Sequence, residues 1–465
     1  MLEKNRIFLN LKKFKNHIAI IDANKKKYLY KQLIEDTHFF KKFFKKKKII
    51  IILADNSYEF IAFYVSAILN NQTIILADAK INIKDLDILI SNYQPNLIYS
   101  DLSKKIENFN KVFSFKNFCL FENKLKKKHK IEKSLNLLIP TSGTTGQNKY
   151  VKLSSENIYD NTLKICEILK IKSKDITITT MPPIYSYALS IINTHLQNGA
   201  SIILNKFSLI DSKFWSLIKD CKPTNFNGVP YIYEILIKIG LDRLNFKSLR
   251  FLTQAGGSLN EEMKKKIFSV CKKTNTDFYI MYGQAEASPR ISILPSNLFE
   301  KNYLSVGLPL KGGKITLGNR KYNKEKKLYE GEIIYKGKNV FMGYSKNFRD
   351  LGKKTKKNRS LKTGDIGYIK KKLIYLTGRK KRIIKIFGIR ISLDQLEQQL
   401  NDNNFCCVCK GNDKKLIVEI EKYHNVNIVE FSKKIQEKTR LNSKFYEINI
   451  VDKFKRNKYG KILYK

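Results

Sequence analysis

Short apolar runs alternate with helix-like segments over the first hundred residues of the chain. The runs IIIILA at 49–54 and TIILAD at 73–78 are examples from the region between Ile18 and about Tyr99. Strands that alternate with helical segments are typical of a βαβ layer. The pattern therefore predicts an α/β fold that begins close to the start of the sequence.

The same alternation continues in the middle of the chain. TITTMPP at 177–183 predicts a strand and a turn, and SYALSIINTHLQNG predicts a helix that ends at Gly199. ASIIL then predicts the next strand. From 311 to 376 shorter strands with glycine-centred turns predict a β-rich subdomain.

A charged stretch, GRKKR at 378–382, separates this large part from a small α+β tail. A chain of 465 residues with 43% apolar content is long enough for more than one hydrophobic core. We therefore expect an α/β N-terminal domain over 1–379, with layered βαβ sheets and the β-rich subdomain. A small, mobile α+β C-terminal domain is expected over 380–465.

The formal net charge of +48 raises the question of a polyanionic partner. The lysines are spread along the chain, however, and short clusters such as KKFFKKKK at 41–48 do not gather on one predicted face. A general drift of composition toward Lys, Asn and Ile explains the charge more simply. Specific nucleic-acid binding is therefore not expected.

Cysteine usage and hydropathy indicate a reducing compartment. The seven cysteines are an odd number, early lysines interrupt any N-terminal apolar run, and no stretch reaches the roughly 20 apolar residues of a spanning helix. We expect a soluble, cytoplasmic protein without a transmembrane segment. Cys406, Cys407 and Cys409 lack a CxxC spacing or a nearby histidine, so FCCVCK predicts a buried strand and not a metal site.

The segment TSGTTGQNK at 141–149 concentrates hydroxyl side chains, glycines and a lysine in one loop. Glycine lets backbone N–H groups turn toward one point, and the hydroxyls and the lysine add donors and positive charge. The loop therefore predicts a phosphate site. Its spacing is neither that of a P-loop nor that of a dinucleotide fingerprint, and a plain flexible turn is the alternative.

Further motifs follow this loop in a fixed order: YGQAE at 282–286, GE at 331–332, KTGDIGY at 362–368, GRKKRIIKIFGIRIS at 378–392 and YGK at 459–461. In this order the motifs resemble those of the adenylate-forming superfamily, which contains acyl-CoA synthetases, nonribosomal peptide adenylation domains and luciferases. Weaker similarities such as LTQAGGSL at 252–259 and SVGLPL at 305–310 extend the resemblance over nearly the whole chain.

The resemblance implies ATP and Mg²⁺ as cofactors and assigns roles to named residues. Asp365 would accept hydrogen bonds from the ribose, Arg379 would reach the ribose or the phosphates, and Glu286 would be a catalytic residue and bind Mg²⁺. The remaining nucleotide-binding residues would be Thr141, Ser142, Gly143, Thr144, Thr145, Gly146 and Lys149 at the phosphates, with Ala255, Gly256, Gly257, Tyr282 and Gly283 around the adenine. In isolation, Asp365 would be interpreted as a turn residue.

The end of the chain would carry the catalytic lysine and the hinge of the small domain. Lys461 would bridge the carboxylate and the α-phosphate, and only its place in YGK separates it from solvated tail lysines. Lys381 would be the hinge, and Gly388 would line a channel for a pantetheine arm. CoA or a phosphopantetheine carrier protein is the acceptor that these residues imply.

Three positions depart from the family's motifs. Ala285 stands where the family has threonine, which weakens adenylate binding or marks a degenerate enzyme. Asn148 and Tyr150 flank Lys149 in place of the common proline and glycine. Lys455 lies near the place of the usual proline in the final motif.

Substrate choice should depend on Tyr185, Tyr187 and Gly228. Amino-acid-activating members carry an aspartate near the first two positions, so the tyrosines favour a plain carboxylic acid, although aromatic residues there are as often core. We expect adenylation followed by transfer to CoA or to a separate acyl carrier protein, since no carrier segment follows the tail. Transfer to an amine or other non-thiol acceptor and a degenerate nucleotide-binding protein are the alternatives.

Overall fold

The computed structural model describes residues 7–101, 106–125, 128–140, 149–244, 246–325, 327–354, 360–386, 389–401, 406–412, 414–421, 427–439, 441–456 and 462–463. Its strands are β1 (Ile18–Ile21), β2 (Lys27–Leu29), β3 (Ile49–Ala54), β4 (Thr73–Asp78), β5 (Leu97–Asp101), β6 (Phe109–Phe115), β7 (Phe118–Asn123), β8 (Leu135–Pro140), β9 (Tyr150–Ser154), β10 (Ile176–Ile178), β11 (Ser201–Ile203), β12 (Asn225–Gly228), β13 (Phe251–Gln254), β14 (Asp277–Gly283), β15 (Arg290–Leu294), β16 (Leu308–Pro309), β17 (Lys314–Asn323), β18 (Leu328–Lys336), β19 (Tyr344–Ser345), β20 (Ser360–Lys370), β21 (Leu373–Arg379), β22 (Ile383–Ile386), β23 (Ile389–Ser392), β24 (Cys407–Gly411), β25 (Leu416–Glu421) and β26 (Tyr446–Val451).

The α-helices are α1 (Tyr30–Phe40), α2 (Tyr58–Leu69), α3 (Ile83–Tyr93), α4 (Ser155–Leu169), α5 (Ser186–Gln197), α6 (Ser212–Cys221), α7 (Pro230–Ile239), α8 (Glu261–Lys273), α9 (Ser296–Asn302), α10 (Leu393–Leu400) and α11 (Ile428–Thr439). Short 3₁₀ helices lie at Leu11–Phe14, Lys41–Phe43, Leu241–Arg243, Ala285–Ala287, Phe348–Asp350, Lys380–Arg382 and Ser443–Phe445.

Two large sheets form the body of the molecule. One has the strand order β16-β15-β14-β13-β12-β10-β11-β1-β2, and the other has the order β19-β9-β8-β4-β3-β5-β7-β6. Their inner strands pair in parallel and their outer strands antiparallel. The α/β fold predicted from the alternation of strands and helices is confirmed.

Strand β3 is apolar at every position because both faces of its sheet are covered. Ile50 and Ile52 belong to the core that faces α2 and α5, whereas Ile49 and Ile51 belong to the core on the opposite face of the sheet. Successive side chains of a strand point to opposite faces. A strand covered on both faces must therefore be apolar at every position.

Helix α5 lies deep in the molecule, and its residues contact both major cores. Leu189 and Ile192 belong to the core shared with α2, and Tyr187 and Ile191 belong to the core of the nine-stranded sheet. The helix ends at Gln197, and Gly199 follows with a φ of +73°. The predicted helix and its glycine stop are confirmed, and β11 follows as predicted.

The β-rich subdomain predicted over 311–376 is an antiparallel four-stranded sheet with the order β17-β18-β20-β21. Gly367 in β20 allows a close approach, because a Cβ there would lie 2.1 Å from the carbonyl oxygen of Tyr375. This sheet carries the KTGDIGY segment and ends at Arg379.

The last part of the chain has small sheets of its own, β22-β23 and β24-β25-β26. It also has a separate hydrophobic core, to which Leu396, Val418 and Phe431 contribute. Cys407 and Cys409 are buried in β24, which confirms the strand predicted for FCCVCK. The domain boundary after residue 379 stays a prediction.

Candidate active site

Several predicted site residues lie outside the described residues, namely Thr141, Ser142, Gly143, Thr144, Thr145, Gly146, Gly388 and Lys461. The ends of the loop that contains the first six are defined, because Pro140 in β8 pairs with Tyr150 in β9. Lys149 is partly buried directly before β9. Both ends of the predicted phosphate loop therefore meet at one edge of the eight-stranded sheet.

Asp365 joins two of the distant sequence motifs. Its Oδ2 accepts a hydrogen bond from the hydroxyl of Tyr282 at 2.5 Å, and its Oδ1 accepts one from Nε of Arg379 at 3.1 Å. The second contact follows from strand pairing, since Asp365 in β20 lies opposite Arg379 in β21. Tyr282 and Asp365 are buried, whereas the Arg379 side chain is largely exposed.

The carboxylate of Asp365 can accept further hydrogen bonds beside those from Tyr282 and Arg379. Burial raises the pKa of Asp365 above its usual range, although Arg379 and Tyr282 act in the opposite direction. Burial and the neighbouring Asp365 raise the pKa of Tyr282, so its hydroxyl stays a donor. A carboxylate offers about four acceptor positions. Two are used here, and the others fit the hydroxyl groups of a ribose.

Glu286 lies in the 3₁₀ helix Ala285–Ala287 and is partly buried. Its Oε1 accepts a hydrogen bond from the Tyr344 hydroxyl at 2.8 Å. Tyr344 is paired with Val151 in β9, so Glu286 is held next to the strand that follows the predicted phosphate loop. Among the described residues no lysine or arginine forms a salt bridge with Glu286, which leaves its carboxylate able to bind a cation such as Mg²⁺.

The turn between Tyr282 and Glu286 is compact because position 283 is glycine. A Cβ at Gly283 would lie 1.8 Å from the carbonyl oxygen of Pro289. The same oxygen accepts a hydrogen bond from the Gln284 amide at 2.8 Å. The close approach brings Tyr282 and Glu286 to the same end of β14 and explains the requirement for glycine.

Gly256 and Gly257, predicted to lie beside the adenine, are close to Gly228, predicted to lie beside the acid substrate. The Ala255 amide donates to the carbonyl oxygen of Gly228 at 3.2 Å, which brings the ends of β12 and β13 together. Gly256 has a φ of +83°, and a Cβ on Gly257 would lie 3.0 Å from Pro230. The turn therefore packs closely on the start of α7.

Tyr187 is a buried core residue in this structure, whereas Tyr185 at the N-cap of α5 is partly exposed. The Tyr187 hydroxyl contacts Oγ1 of Thr253 at 2.7 Å. The carbonyl oxygen of Thr253 accepts a hydrogen bond from the Tyr233 hydroxyl at 2.9 Å. A Cβ at Gly228 would lie 2.7 Å from the Tyr233 ring. Of the predicted acid-binding residues, Tyr187 contacts Thr253 directly, and Gly228 lies beside the ring of Tyr233, whose hydroxyl also contacts Thr253.

The structure adds Arg290, which the motif analysis missed. This arginine opens β15 directly after the YGQAE segment, and only 2% of it is exposed. Its Nη2 donates to Oγ of Ser190 in α5 at 3.2 Å, and its guanidinium lies 4.7 Å from the centre of the Tyr187 ring. The available signal was a single charge at the head of the apolar strand RISIL.

Lys381, the predicted hinge, lies in the 3₁₀ helix Lys380–Arg382, and its side chain is outside the described set. Its neighbours connect to both sides of the predicted boundary. Lys380 pairs with Glu332 of the four-stranded sheet at 3.2 Å, and Arg382 pairs with Asp394 of α10 at 2.6 Å.

Among the described residues, none of the helices combines the length and the apolar content that a bilayer crossing requires.

The chain is similar to a family of AMP-binding enzymes and to curated CoA ligases. The sequence model of a family described as AMP-binding enzyme matches residues 8–345. The chain is 31% identical over 276 residues to a probable 4-coumarate–CoA ligase 2 of Dictyostelium discoideum, covering 57% of this chain and 48% of that protein. It is 26% identical over 284 residues to a 2-succinylbenzoate–CoA ligase of Bacillus cereus, covering 60% of this chain and 56% of that protein. The chain thus spans about half the length of the curated relatives that it matches.

A solved structure resembles the whole chain. It is the o-succinylbenzoate coenzyme A synthetase of Bacillus subtilis in complex with ATP and a magnesium ion, with a TM-score of 0.75 and 18% sequence identity. The superposition covers 98% of each chain. At this identity the similarity shows a shared fold, with a large N-terminal and a smaller C-terminal domain.

Proposed function

Since the chain belongs to the AMP-binding enzyme family, we propose that it joins a carboxylic acid to the α-phosphate of ATP and then transfers the acyl group to a thiol. In the first step a carboxylate oxygen forms a bond to the α-phosphorus, and the bond from that phosphorus to the bridging oxygen breaks to release pyrophosphate. In the second step a thiol sulfur bonds to the acyl carbon, AMP leaves and the thiol proton goes to solvent.

The contact between Tyr282 and Asp365 is the observation that carries this proposal. It joins the YGQAE segment, which also contains Glu286, to the KTGDIGY segment and to Arg379. Asp365 would hold the ribose, and Glu286 would hold Mg²⁺ at the phosphates, where the metal withdraws charge from the leaving pyrophosphate. The fixed charges of these residues suit a reaction in which positioning and electrostatics supply most of the rate.

Lys461 and the loop 141–149 complete the proposed site. The loop would bind the β- and γ-phosphates through Thr141, Ser142, Thr144, Thr145 and Lys149. Lys461 would neutralise the charge that develops between the acid and the α-phosphate, which is the role of a preorganised donor in such a transition state. We also propose that residues 380–465 form a second domain that turns about Lys381 between the two steps.

CoA is the acceptor that the relatives favour, because both curated relatives are named as CoA ligases. The alternative acceptor is a phosphopantetheine carrier protein, which presents the same kind of thiol. The odd number of cysteines, seven, favours a reducing compartment, so we propose a cytoplasmic location.

Pyrophosphate release from ATP and Mg²⁺ over a panel of fatty, aryl, hydroxy, amino and dicarboxylic acids tests the adenylation step. We expect one acid class to stimulate release, and we expect Lys461→Ala to lower the rate by at least about 100-fold. Lys453→Ala is the matched control, because Lys453 is an exposed lysine of the same tail outside the YGK motif. It should retain the wild-type rate.

Two other outcomes would contradict parts of the proposal. Nucleotide binding without release for any acid would favour a degenerate protein, for which Ala285 is the motivating residue. Release that occurs normally but is followed by no CoA-dependent formation of AMP would favour an amine or another non-thiol acceptor.

A further inference from the structure

Arg290 is a buried cation without a carboxylate partner among the described residues. Its Nε has no hydrogen-bond partner, and its polar contact is the hydrogen bond from Nη2 to the Ser190 hydroxyl. The aromatic ring of Tyr187 is the other group that faces the guanidinium. Neither neighbour carries a negative charge at neutral pH, since burial also raises the pKa of Tyr187.

Three buried carboxylates among the described residues each face a guanidinium. Asp175 is fully buried and binds Arg250 at 2.5 Å. Glu421 is fully buried and binds Arg456 at 2.6 Å, and Glu397 binds Arg382 at 2.6 Å. In each pair a buried carboxylate faces a guanidinium. The buried lysines Lys152 and Lys264 are not in such pairs, but each ammonium donates to a backbone carbonyl oxygen, whereas Nε of Arg290 has no acceptor among the described residues.

An unpaired buried cation is energetically unfavourable. Removing a charge of this size from water costs more free energy than a desolvated cation–π contact returns. Burial lowers the pKa of Arg290 to about 10, so the side chain still carries its charge at neutral pH. A negatively charged group beside the guanidinium would offset its desolvation cost and would bind tightly there.

The location of the guanidinium indicates that this negatively charged group belongs to the acid substrate. Tyr187 and Ser190 lie on α5, and the Tyr187 hydroxyl contacts Thr253, two residues before Ala255. These residues border the predicted acid-binding region. On the backbone, Arg290 pairs with Gly283 of the YGQAE segment, so the acid-binding region and the predicted nucleotide site are one strand apart.

We propose that the acid substrate is a dicarboxylic acid, whose second carboxylate pairs with Arg290 while the first reacts with ATP. The inference rests on the proposed function and specifies its substrate class. The guanidinium fork suits a bidentate pair with a carboxylate. Tyr187, Ser190 and Arg290 are nearly inaccessible, so the entering acid must separate the guanidinium from the Tyr187 ring.

The test compares acids of matched length, namely butanoate with succinate and hexanoate with adipate, by pyrophosphate release. In the wild type kcat/KM should favour the diacid of each active pair. In Arg290→Met the ratio of kcat/KM for diacid to that for monoacid should fall by about 100-fold, as expected for loss of a buried charge partner. Arg243→Met, which replaces an exposed arginine elsewhere, should leave the ratio unchanged.

A stability measurement without ATP gives an independent readout. Replacing an unpaired buried cation by an apolar side chain of similar length should raise the melting temperature of Arg290→Met above that of the wild type. Succinate or adipate alone should raise the melting temperature of the wild type and not that of Arg290→Met. Ser190→Ala, which removes one weaker contact, should lower the diacid preference by a smaller factor.

The outcomes separate this inference from the proposed function. If the wild type activates monoacids and Arg290→Met lowers both acids of a pair equally, the guanidinium serves the reacting carboxylate or the fold, and the dicarboxylate inference is wrong while adenylation stands. A lower melting temperature of Arg290→Met would also contradict it. If no acid of either class releases pyrophosphate, the proposed function is wrong and the inference falls with it.

Discussion

Asp365 is a buried carboxylate for which we propose a role in ribose binding. Its carboxylate is 6% exposed and has two partners, of which Arg379 is largely exposed. An exposed partner contributes little to stability, about 1 kcal/mol or less. Burial therefore dominates and raises the pKa of Asp365. At neutral pH the folded protein bears the cost of an ionised buried carboxylate, which nucleotide binding would offset.

Asp365→Asn should increase stability and weaken nucleotide binding. A group whose folded pKa is raised contributes stability at low pH that is lost as pH rises through the folded pKa. The variant removes this dependence on pH, so its melting temperature should rise relative to that of the wild type as pH increases above about 4, the pKa of an unperturbed aspartate. ATP affinity should fall by about tenfold or more, measured by calorimetry.

Asp242→Asn is the control for this prediction, since Asp242 is exposed on the short helix Leu241–Arg243. It should change neither ATP affinity nor the pH dependence of the melting temperature. Unchanged ATP affinity in Asp365→Asn would remove Asp365 from the nucleotide site.

At the scale of elements, α5 connects the predicted acid-binding region to the centre of the nine-stranded sheet. His195 in this helix is fully buried, and its ring nitrogens contact Nδ2 of Asn225 in β12 at 3.1 Å and the carbonyl oxygen of Ile191 at 2.8 Å. Burial lowers the pKa of His195 to about 4, so the ring is neutral in the folded protein. The contact therefore fixes helix to strand only while the ring stays unprotonated.

This contact predicts a loss of stability in mild acid. The unfolded chain takes up a proton at His195 below about pH 6.5, whereas the folded chain does so only near about pH 4, so the free energy of unfolding falls as pH falls through this window. The largest contribution is about 3 kcal/mol. In His195→Gln the free energy of unfolding, measured by urea titration, should change less between these two pH values. An equal change in both proteins would contradict the assignment.

At the scale of the whole molecule, charge works against folding. The net charge is +48, and exposed lysines occur along the whole described part of the chain. A uniform excess of one sign disfavours the compact state through self-repulsion and promotes weak, nonspecific association with polyanions.

The charge predicts that salt stabilises the protein. Raising ionic strength from about 10 mM to about 150 mM shortens the screening length to about 8 Å and weakens the repulsion. The melting temperature in sodium chloride should rise by several degrees. A flat or falling melting temperature would show that paired charges outweigh the excess.

Sodium sulfate at equal ionic strength is the control. Equal effects of the two salts indicate screening alone. Sulfate also stabilises proteins in general because it is excluded from their surface, so only the part of a larger sulfate effect that is lost in Lys149→Ala would be assigned to the predicted phosphate loop.

The amino-acid sequence by itself determined the order of elements, the α/β class and the positions of the motifs. These features depend on local rules: the apolar run of β3, the glycine stop after α5 and the glycine at position 283 each follow from backbone geometry or from a neighbouring face. A change in local pattern, such as the glycine-centred turns of 311–376, is visible without knowledge of distant contacts.

Only the tertiary structure decided which charged groups are buried and what they contact. The hydrogen bond from Tyr282 to Asp365 spans 83 positions in the sequence, and that from Arg290 to Ser190 spans 100. The apolar residues that follow Arg290 in RISIL are the one local signal for its burial, and they do not show which side chains the guanidinium contacts. The energy of a charge depends on its desolvation and on the sign of its neighbours, and both are set when distant segments pack together.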